Sequence, residues 1–233
     1  MKLFTPALAL LALLIFSTSL RAAETGYIIE LIIYEDTKGR YINSEDWSFN
    51  DQLQHTDNQP TGQPSDTDPE FQLLDWEKAK LNSSLKKITT HAPYRVLLNQ
   101  RWKQTGLDRK HAINIAIDTR AEIPQDDSLS ETGENTPPTL TPEVAESYIT
   151  GNVRLIMSRY LHFNVRLEYY RPTTDETGAV SYRHFPIVSE RRMKSKEVHY
   201  IDHPLVGIIV LATPYKIKSA DDTTVQPANY KTL

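Results

Sequence analysis

The sequence SERRMKSKEVHYIDHP occupies Ser189–Pro204, and LVGIIVLATP follows it directly at Leu205–Pro214. The second half is a continuous apolar run rich in Val and Ile, which is typical of a strand buried on both faces. Pro204 separates the two halves, because proline cannot donate to a strand ladder and is confined to strand starts. We therefore predict that a polar strand turns at Asp202, His203 and Pro204 into a central strand of the core. Asp202 and Pro204 are assigned structural roles at that turn.

A second buried strand is predicted at Tyr27–Tyr34 (YIIELIIY), where Glu30 is the one charged residue. An isolated buried carboxylate is very costly, so Glu30 needs a partner and is assigned a structural role. We expect an arginine from the region 154–192. Arg191 and Arg192 should point to opposite faces of one strand, so that one pairs with Glu30 and the other meets solvent and a ligand.

The remaining periodicity indicates one helix and several strands. The apolar residues between Phe71 and His91 fall on one helical face, and Pro93 ends that pattern. Alternation predicts strands at 94–103, at 112–118 and from Ser181 onward. It also predicts a very long span at 152–170 that should be divided by a bend or bulge near 158–160. The predicted fold class is α+β: a mostly antiparallel sheet of six or seven strands with one main helix, in a ferredoxin-like arrangement.

The ends of the chain have distinct compositions. Lys2, an apolar core at 7–16 and small residues up to Ala23 predict a signal peptide at 1–23. The remaining chain is predicted to be a single domain at 24–215 with acidic loop insertions near 50–70 and 121–142, followed by a disordered tail at 216–233. There is no cysteine, which excludes disulfides, cysteine nucleophiles and thiolate metal sites. We expect a periplasmic protein with no stable membrane insertion after cleavage.

Charge is distributed unevenly along the chain. The net charge is −4, but the segments 41–70 and 121–146 hold much of the acid and contain no Lys or Arg. The rest of the mature chain is therefore basic, which favours polyanions or carboxylate-bearing polymers as partners. Nucleic acid is not expected, because a secretory signal would remove the protein from it.

Several catalytic signatures are absent from the sequence. There is no Gly-x-Ser-x-Gly elbow and no cysteine nucleophile, and we expect no cofactor. His199 and His203 are four residues apart, but Tyr200 stands where a zinc protease needs Glu, and Pro204 opposes a helix. On a strand the two histidines would share a face, so a metal-dependent hydrolase stays open as a minor hypothesis, although we assign no metal ligand.

The polar residues suit a carbohydrate polymer with anionic substituents. Arginine pairs bidentately with carboxylates, and aromatic planes can stack on sugar rings. The candidate ligand-binding residues are Arg159, Tyr160, His162, Arg191, Arg192, His199, Tyr200 and His203.

Four motifs carry a family resemblance: YIIELIIY at 27–34, YRVLLNQRWKQ at 94–104, SRYLH at 158–162 and RRMKSKEVHYIDHP at 191–204, together with Trp47. From Tyr27 to about Tyr215 the chain resembles the CsiV family, with Asn99 where a histidine is expected. The resemblance implies a non-enzymatic periplasmic protein that binds peptidoglycan. It also implies a role in cell-wall synthesis through an outer-membrane lipoprotein that activates a class A penicillin-binding protein. The alternative is an adaptor that docks its basic face on an acidic protein without contacting glycan.

Overall fold

A computed structural model describes residues 25–44, 68–120 and 145–217. The predicted signal peptide, nearly all of the two acidic insertions and the tail beyond 217 lie outside these residues. The described elements, in chain order, are β1 (Thr25–Asp36), β2 (Gln72–Leu73), a 3-10 turn (Trp76–Lys78), α1 (Asn82–Thr89), β3 (Tyr94–Thr105), β4 (Ile115–Asp118), β5 (Tyr148–Met157), β6 (Leu161–Thr174), β7 (Val180–Met193), β8 (Val198–Asp202) and β9 (Val206–Lys216).

The strands form two antiparallel sheets. The first has the order β2-β3-β1-β9-β8 and the second the order β4-β5-β6-β7. The mostly antiparallel character with one helix is confirmed, but the strand count and the ferredoxin-like arrangement were wrong, since the described residues form nine strands in two sheets. The alternation identified strands that each have one apolar face; it could not show that two such faces would pack on each other.

The two sheets share one apolar core. Trp102 of β3, Phe163 and Tyr169 of β6, and Phe185 of β7 are among its largest fully buried side chains. On the other face of β1, Ile32 packs with side chains of the helical segment. β1 is therefore buried on both faces, which is why its sequence is apolar at nearly every position.

The predicted helix between Phe71 and His91 is shorter than expected. Only Asn82–Thr89 is α-helical, and the residues before it form β2 and the 3-10 turn. Asp68 lies shortly before β2. Its carboxylate accepts hydrogen bonds at 2.8 Å from both the backbone N–H and the hydroxyl of Thr105, and so fixes the incoming chain to β3.

The long alternating span divides near 158–160 as predicted, but by a hairpin turn rather than by a bend or bulge. β5 and β6 are antiparallel neighbours, with Met157 opposite Leu161. The three-residue turn preserves the parity of the apolar positions, so the pattern runs on unbroken through a reversal of the chain.

The stretch 189–204 connects the two sheets. Its first residues end β7, a turn follows, and Val198–Asp202 forms the edge strand β8. The backbone N–H of Lys196, which has a positive φ of 67°, donates to the carbonyl of Ala212. Reciprocal backbone hydrogen bonds of 3.2 Å between His203 and Val206 close a tight hairpin into β9. The predicted turn at Asp202, His203 and Pro204 is thus confirmed.

Glu30 is buried, but its expected partner was wrong. Its carboxylate lies under the helical segment, where it accepts a 2.9 Å hydrogen bond from the backbone N–H of Leu81. The guanidinium Nε of Arg101, directly opposite on β3, is 3.7 Å away. The arginine therefore comes from the adjacent strand and not from the region 154–192, because the outer face of β1 points away from the second sheet.

Candidate ligand-binding cleft

A cleft of about 410 Å³ opens where the end of β1, the turn after it and the β8–β9 hairpin meet. The backbone N–H of Asp36 donates to the carbonyl of Leu205 at 3.0 Å and joins the two segments. We call this the tyrosine cleft. Its walls carry Tyr34, Asp36, Arg40, Tyr41, Ser44, Tyr94, Tyr200, Asp202, His203, Pro204, Leu205, Val206 and Gly207.

Four of the residues that line the cleft are tyrosines. The hydroxyl of Tyr34 donates to that of Tyr200 at 3.4 Å, and the hydroxyl of Tyr200 donates to Asp202 Oδ1 at 2.9 Å. Burial and these two hydrogen bonds raise the pKa of Tyr200. The phenol therefore stays neutral and keeps its proton, while 42% of the residue remains exposed. The rings of Tyr94 and Tyr34 pack edge to face, with their centres 5.1 Å apart.

Gly207 is required by the close approach of Tyr34. A Cβ at position 207 would lie 2.3 Å from Cζ of the Tyr34 ring, which no real contact allows. The strand β9 thus offers a bare backbone on which the ring lies, and that contact sets the position of the Tyr34 hydroxyl in the cleft.

The charged groups of the cleft are two carboxylates and one guanidinium. Asp36 accepts hydrogen bonds from the Nε of Arg40 at 2.8 Å and from the backbone N–H of Lys38 at 3.0 Å. The Arg40 guanidinium also lies 5.8 Å from the ring centre of Tyr41. Asp202 is exposed. Aromatic faces beside carboxylate acceptors can stack on a sugar ring and accept hydrogen bonds from its hydroxyls.

Two of the three histidines predicted to bind a ligand, His199 and His203, form hydrogen bonds with the backbone instead. The Nδ1 of His203 accepts from the N–H of Leu205 at 3.3 Å, and burial lowers the pKa of His203 to about 4. The Nε2 of His199 lies 3.0 Å from the backbone N of Lys194. Across the described ranges no three His, Asp or Glu side chains are grouped to hold a metal ion.

The other predicted residues gather elsewhere, on the outer face of the second sheet. The Arg192 guanidinium stacks on the ring of Tyr160 at 3.6 Å, and Tyr160 is 45% exposed. His162, opposite Arg192 on β6, lies 3.2 Å from Glu190. The two groups lie at opposite ends of β1. Met157, which precedes the β5–β6 turn, contacts Tyr27 near the start of that strand, whereas the cleft contains Tyr34 and Asp36 at its end.

Both Arg191 and Arg192 are exposed, so the expectation that one of them pairs with a buried acid was wrong. Arg191 has the inward parity of Ile187 and Met193, but β7 is the edge strand of its sheet and the side chain is exposed there. Arg159 is exposed in the β5–β6 turn. Within the described part of the chain, neither Arg159 nor Arg191 has a charged partner.

Sequence reasoning missed most of the cleft. Five cleft residues come from segments far from the stretch 189–214: Tyr34, Asp36, Arg40, Tyr41 and Tyr94. The sequence predicts Tyr34 only as part of a buried strand. The sequence feature that could have indicated the cleft is a tyrosine, which carries a polar hydroxyl, at the end of an apolar strand. A stacked pair was missed as well: Tyr148 and Tyr170, at 4.6 Å, on the outer face of the second sheet.

None of the helices in the described ranges is long and apolar enough to cross a membrane. No curated protein and no solved structure shows a significant match to the chain. A family model described as "Peptidoglycan-binding protein, CsiV" matches residues 5–215. That match takes in both sheets, the tyrosine cleft and the arginines of β7. The chain therefore belongs to the CsiV family of peptidoglycan-binding proteins.

Proposed function

We propose that this protein is a periplasmic, non-enzymatic factor that binds peptidoglycan in the tyrosine cleft. The observation that carries the proposal is the hydrogen-bonded series from Tyr34 through Tyr200 to Asp202 at the mouth of an open cleft, in a chain whose family binds peptidoglycan.

The chemistry of the cleft favours sugar rings. The exposed ring of Tyr200 offers an apolar face for the C–H side of a pyranose, and the adjacent carboxylate of Asp202 accepts hydrogen bonds from hydroxyl or amide groups. A concave site that combines aromatic faces with a few convergent polar groups is the usual design of a small-ligand site. Because the Tyr200 hydroxyl already donates to Asp202, the oxygens of both side chains are left as acceptors for a ligand.

The wider role in this proposal is support of cell-wall synthesis through an outer-membrane lipoprotein that activates a class A penicillin-binding protein. Direct binding between the purified mature chain and such a lipoprotein, measured by biolayer interferometry, tests this step separately from glycan binding. Absence of binding at micromolar concentrations would remove the lipoprotein from the proposal and leave peptidoglycan binding untouched.

Co-sedimentation with isolated sacculi tests the cleft. We expect the wild-type chain to sediment with sacculi and Tyr200→Ala to bind about tenfold or more weakly, because an aromatic anchor contributes roughly 1–3 kcal/mol. Leu73→Ala, an exposed apolar residue on the other edge of the same sheet, is the matched control and should bind as wild type. Equal binding of all three proteins would move the ligand out of the cleft.

The non-enzymatic part of the proposal is tested on the same samples. We expect no soluble muropeptides to be released from sacculi, with or without added Zn²⁺. Release that is abolished by His203→Ala and retained by Leu73→Ala would instead support a hydrolase.

A further inference from the structure

Arginines are concentrated on the outer face of the second sheet, at the end nearest the β5–β6 turn. Arg154 on β5, Arg166 on β6 and Arg192 on β7 share this face with Tyr160. We call these four residues the arginine patch. The patch lies at the opposite end of the molecule from the tyrosine cleft.

Glu190, two residues before Arg192 on β7 and on the same face, is already paired with another arginine. Glu190 accepts hydrogen bonds from both terminal nitrogens of Arg109, at 2.8 and 2.5 Å, and from Asn164 at 3.3 Å. These contacts, those of Arg109 first, lower the pKa of Glu190 to about 2. Glu190 is thus fixed as the counterion of Arg109, and within the described ranges neither Arg166 nor Arg192 forms an ion pair.

The surroundings of Arg154 show the same excess of positive charge. Burial and the nearby guanidinium groups of Arg109 and Arg166 lower the pKa of Arg154 below its ordinary value. Its terminal NH2 group donates to the carbonyls of Arg109 and Ala112, while its buried Nε has no hydrogen-bond acceptor among the described residues. An anion brought to this surface would relieve that repulsion.

Arg192 is oriented to receive such an anion. Stacking on Tyr160 at 3.6 Å fixes the orientation of the guanidinium plane. Its N–H edges can therefore bind a ligand with little further loss of side-chain conformational entropy. A planar guanidinium with free edges matches a carboxylate in bidentate fashion. The same geometry is present nearby in the Arg109–Glu190 pair.

We infer that the arginine patch is a second binding surface that takes carboxylates of the peptidoglycan stem peptides, so that one molecule contacts the polymer at two points. This inference rests on the proposed function. Peptidoglycan combines sugar rings with regularly repeated carboxylates, and the two surfaces divide that chemistry between them: aromatic rings in the cleft, and guanidinium groups on the patch. Two contacts on one repeating polymer add avidity that neither surface has alone.

The test compares intact sacculi with sacculi whose carboxylates have been amidated by carbodiimide coupling. The proteins are the wild-type mature chain, an Arg166→Ala/Arg192→Ala variant and Tyr200→Ala. The control is Arg183→Ala, which removes an exposed arginine that lies 5.2 Å from the Phe185 ring at the other end of β7. Unchanged thermal melting of each variant establishes that it is folded.

For the wild type we expect binding to amidated sacculi to be weaker than to intact sacculi by about two- to tenfold, with a reduced salt dependence. The double variant should bind both kinds of sacculi alike, at the level of wild type on amidated sacculi. Arg183→Ala should behave as wild type. Tyr200→Ala should bind more weakly than wild type and still distinguish the two kinds of sacculi.

Two results would overturn the inference in distinguishable ways. If wild type binds both kinds of sacculi equally while Tyr200→Ala loses binding, the proposed function stands and the patch does not contact carboxylates. If wild type binds neither kind, the proposed function fails and the inference fails with it. A double variant that binds intact sacculi as tightly as wild type does would show that the patch makes no contact with the carboxylates and would overturn the inference.

Discussion

Glu30 shows how one buried charge is tolerated in a strand that is otherwise apolar. The residue is 2% exposed, yet both of its oxygens have a role, one toward the backbone of Leu81 and one toward Arg101. The carboxylate thus ties the segment before α1 to the outer face of the first sheet. Removing it would leave a buried guanidinium without its counterion.

We expect Glu30→Ala to lower the free energy of unfolding by about 3–5 kcal/mol, the range for breaking a buried pair. Urea denaturation of the mature chain measures this. Glu176→Ala, in the exposed β6–β7 turn, is the control and should change stability by less than about 0.5 kcal/mol. A loss below about 1 kcal/mol for Glu30→Ala would mean that its carboxylate is screened like a surface pair.

His203 makes stability depend on pH. Its folded pKa, about 4, lies below the ordinary value of 6.5, so between these values the unfolded chain binds more protons. Stability is therefore full above about pH 6.5 and falls as pH drops toward 4, by on the order of 2–4 kcal/mol from this residue. His203→Asn keeps an acceptor for the Leu205 N–H and does not titrate. From pH 7 to pH 4 the melting temperature of wild type should fall steadily relative to that of the variant. A difference that stays constant with pH would contradict the depressed pKa of His203.

At the scale of elements, a polar cluster joins the two sheets at the cleft end. Glu35 of β1 is 3% exposed in its side chain and forms an ion pair with Arg95 of β3 at 2.5 Å. Its other oxygen accepts hydrogen bonds from Ser147 and from the hydroxyl of Tyr169 on β6. Burial and the neighbouring Glu35 raise the pKa of Tyr169, so the phenol stays a donor. The cluster fixes the end of β1, from which the tyrosine cleft is built, against the second sheet.

Tyr169→Phe should therefore cost about 1–3 kcal/mol, since a buried carboxylate loses one donor while the ring stays in the core. Chemical denaturation measures the change. Tyr182→Phe, whose hydroxyl bonds to the Glu146 carbonyl at the surface, is the control and should be nearly neutral. Equal stabilities of the two variants would mean that the Glu35 cluster does not hold the sheets together.

The strands could be predicted from the sequence, but their partners could not. The alternation of apolar and polar residues marks one apolar face per strand. It continues unbroken through the turn at Arg159, because a turn of three residues leaves the apolar positions of β5 and β6 at the same parity. In β3, by contrast, the parity of the core-facing residues changes within a single strand. A bulge at Leu97, opposite the Ile33–Tyr34 step of β1, changes the parity, so Leu97 and Trp102 both face the core. Sequence parity therefore concealed one reversal of the chain and one irregularity.

The cleft was only half predictable for a similar reason. Tyr200, Asp202 and His203 stood out because they are adjacent in one polar stretch. Tyr34, 166 residues earlier than Tyr200, joins them only after β1 and β9 pair, with Tyr34 opposite Gly207. No local pattern specifies that pairing, and the histidines, which looked like ligands, instead bind the backbone of their own turns.

At the scale of the whole molecule, the residues predicted to bind one ligand are divided between two ends of a two-sheet core. The stretch 189–204 explains this division, because it begins in the second sheet and ends in the first. Sequence neighbours on either side of the Lys194–Glu197 turn therefore serve different surfaces. The family match identifies the polymer as peptidoglycan. We propose that its sugar rings bind in the cleft and its carboxylates bind on the patch.

Mapping a soluble, uncross-linked disaccharide-peptide from peptidoglycan onto the backbone amides by NMR tests the central claim most directly. We expect chemical-shift changes centred on the β8–β9 hairpin, at Tyr200, Asp202, Leu205 and Gly207, that saturate with the fragment and vanish in Tyr200→Ala. Saturable changes confined to other surfaces, with the hairpin amides unmoved, would contradict it.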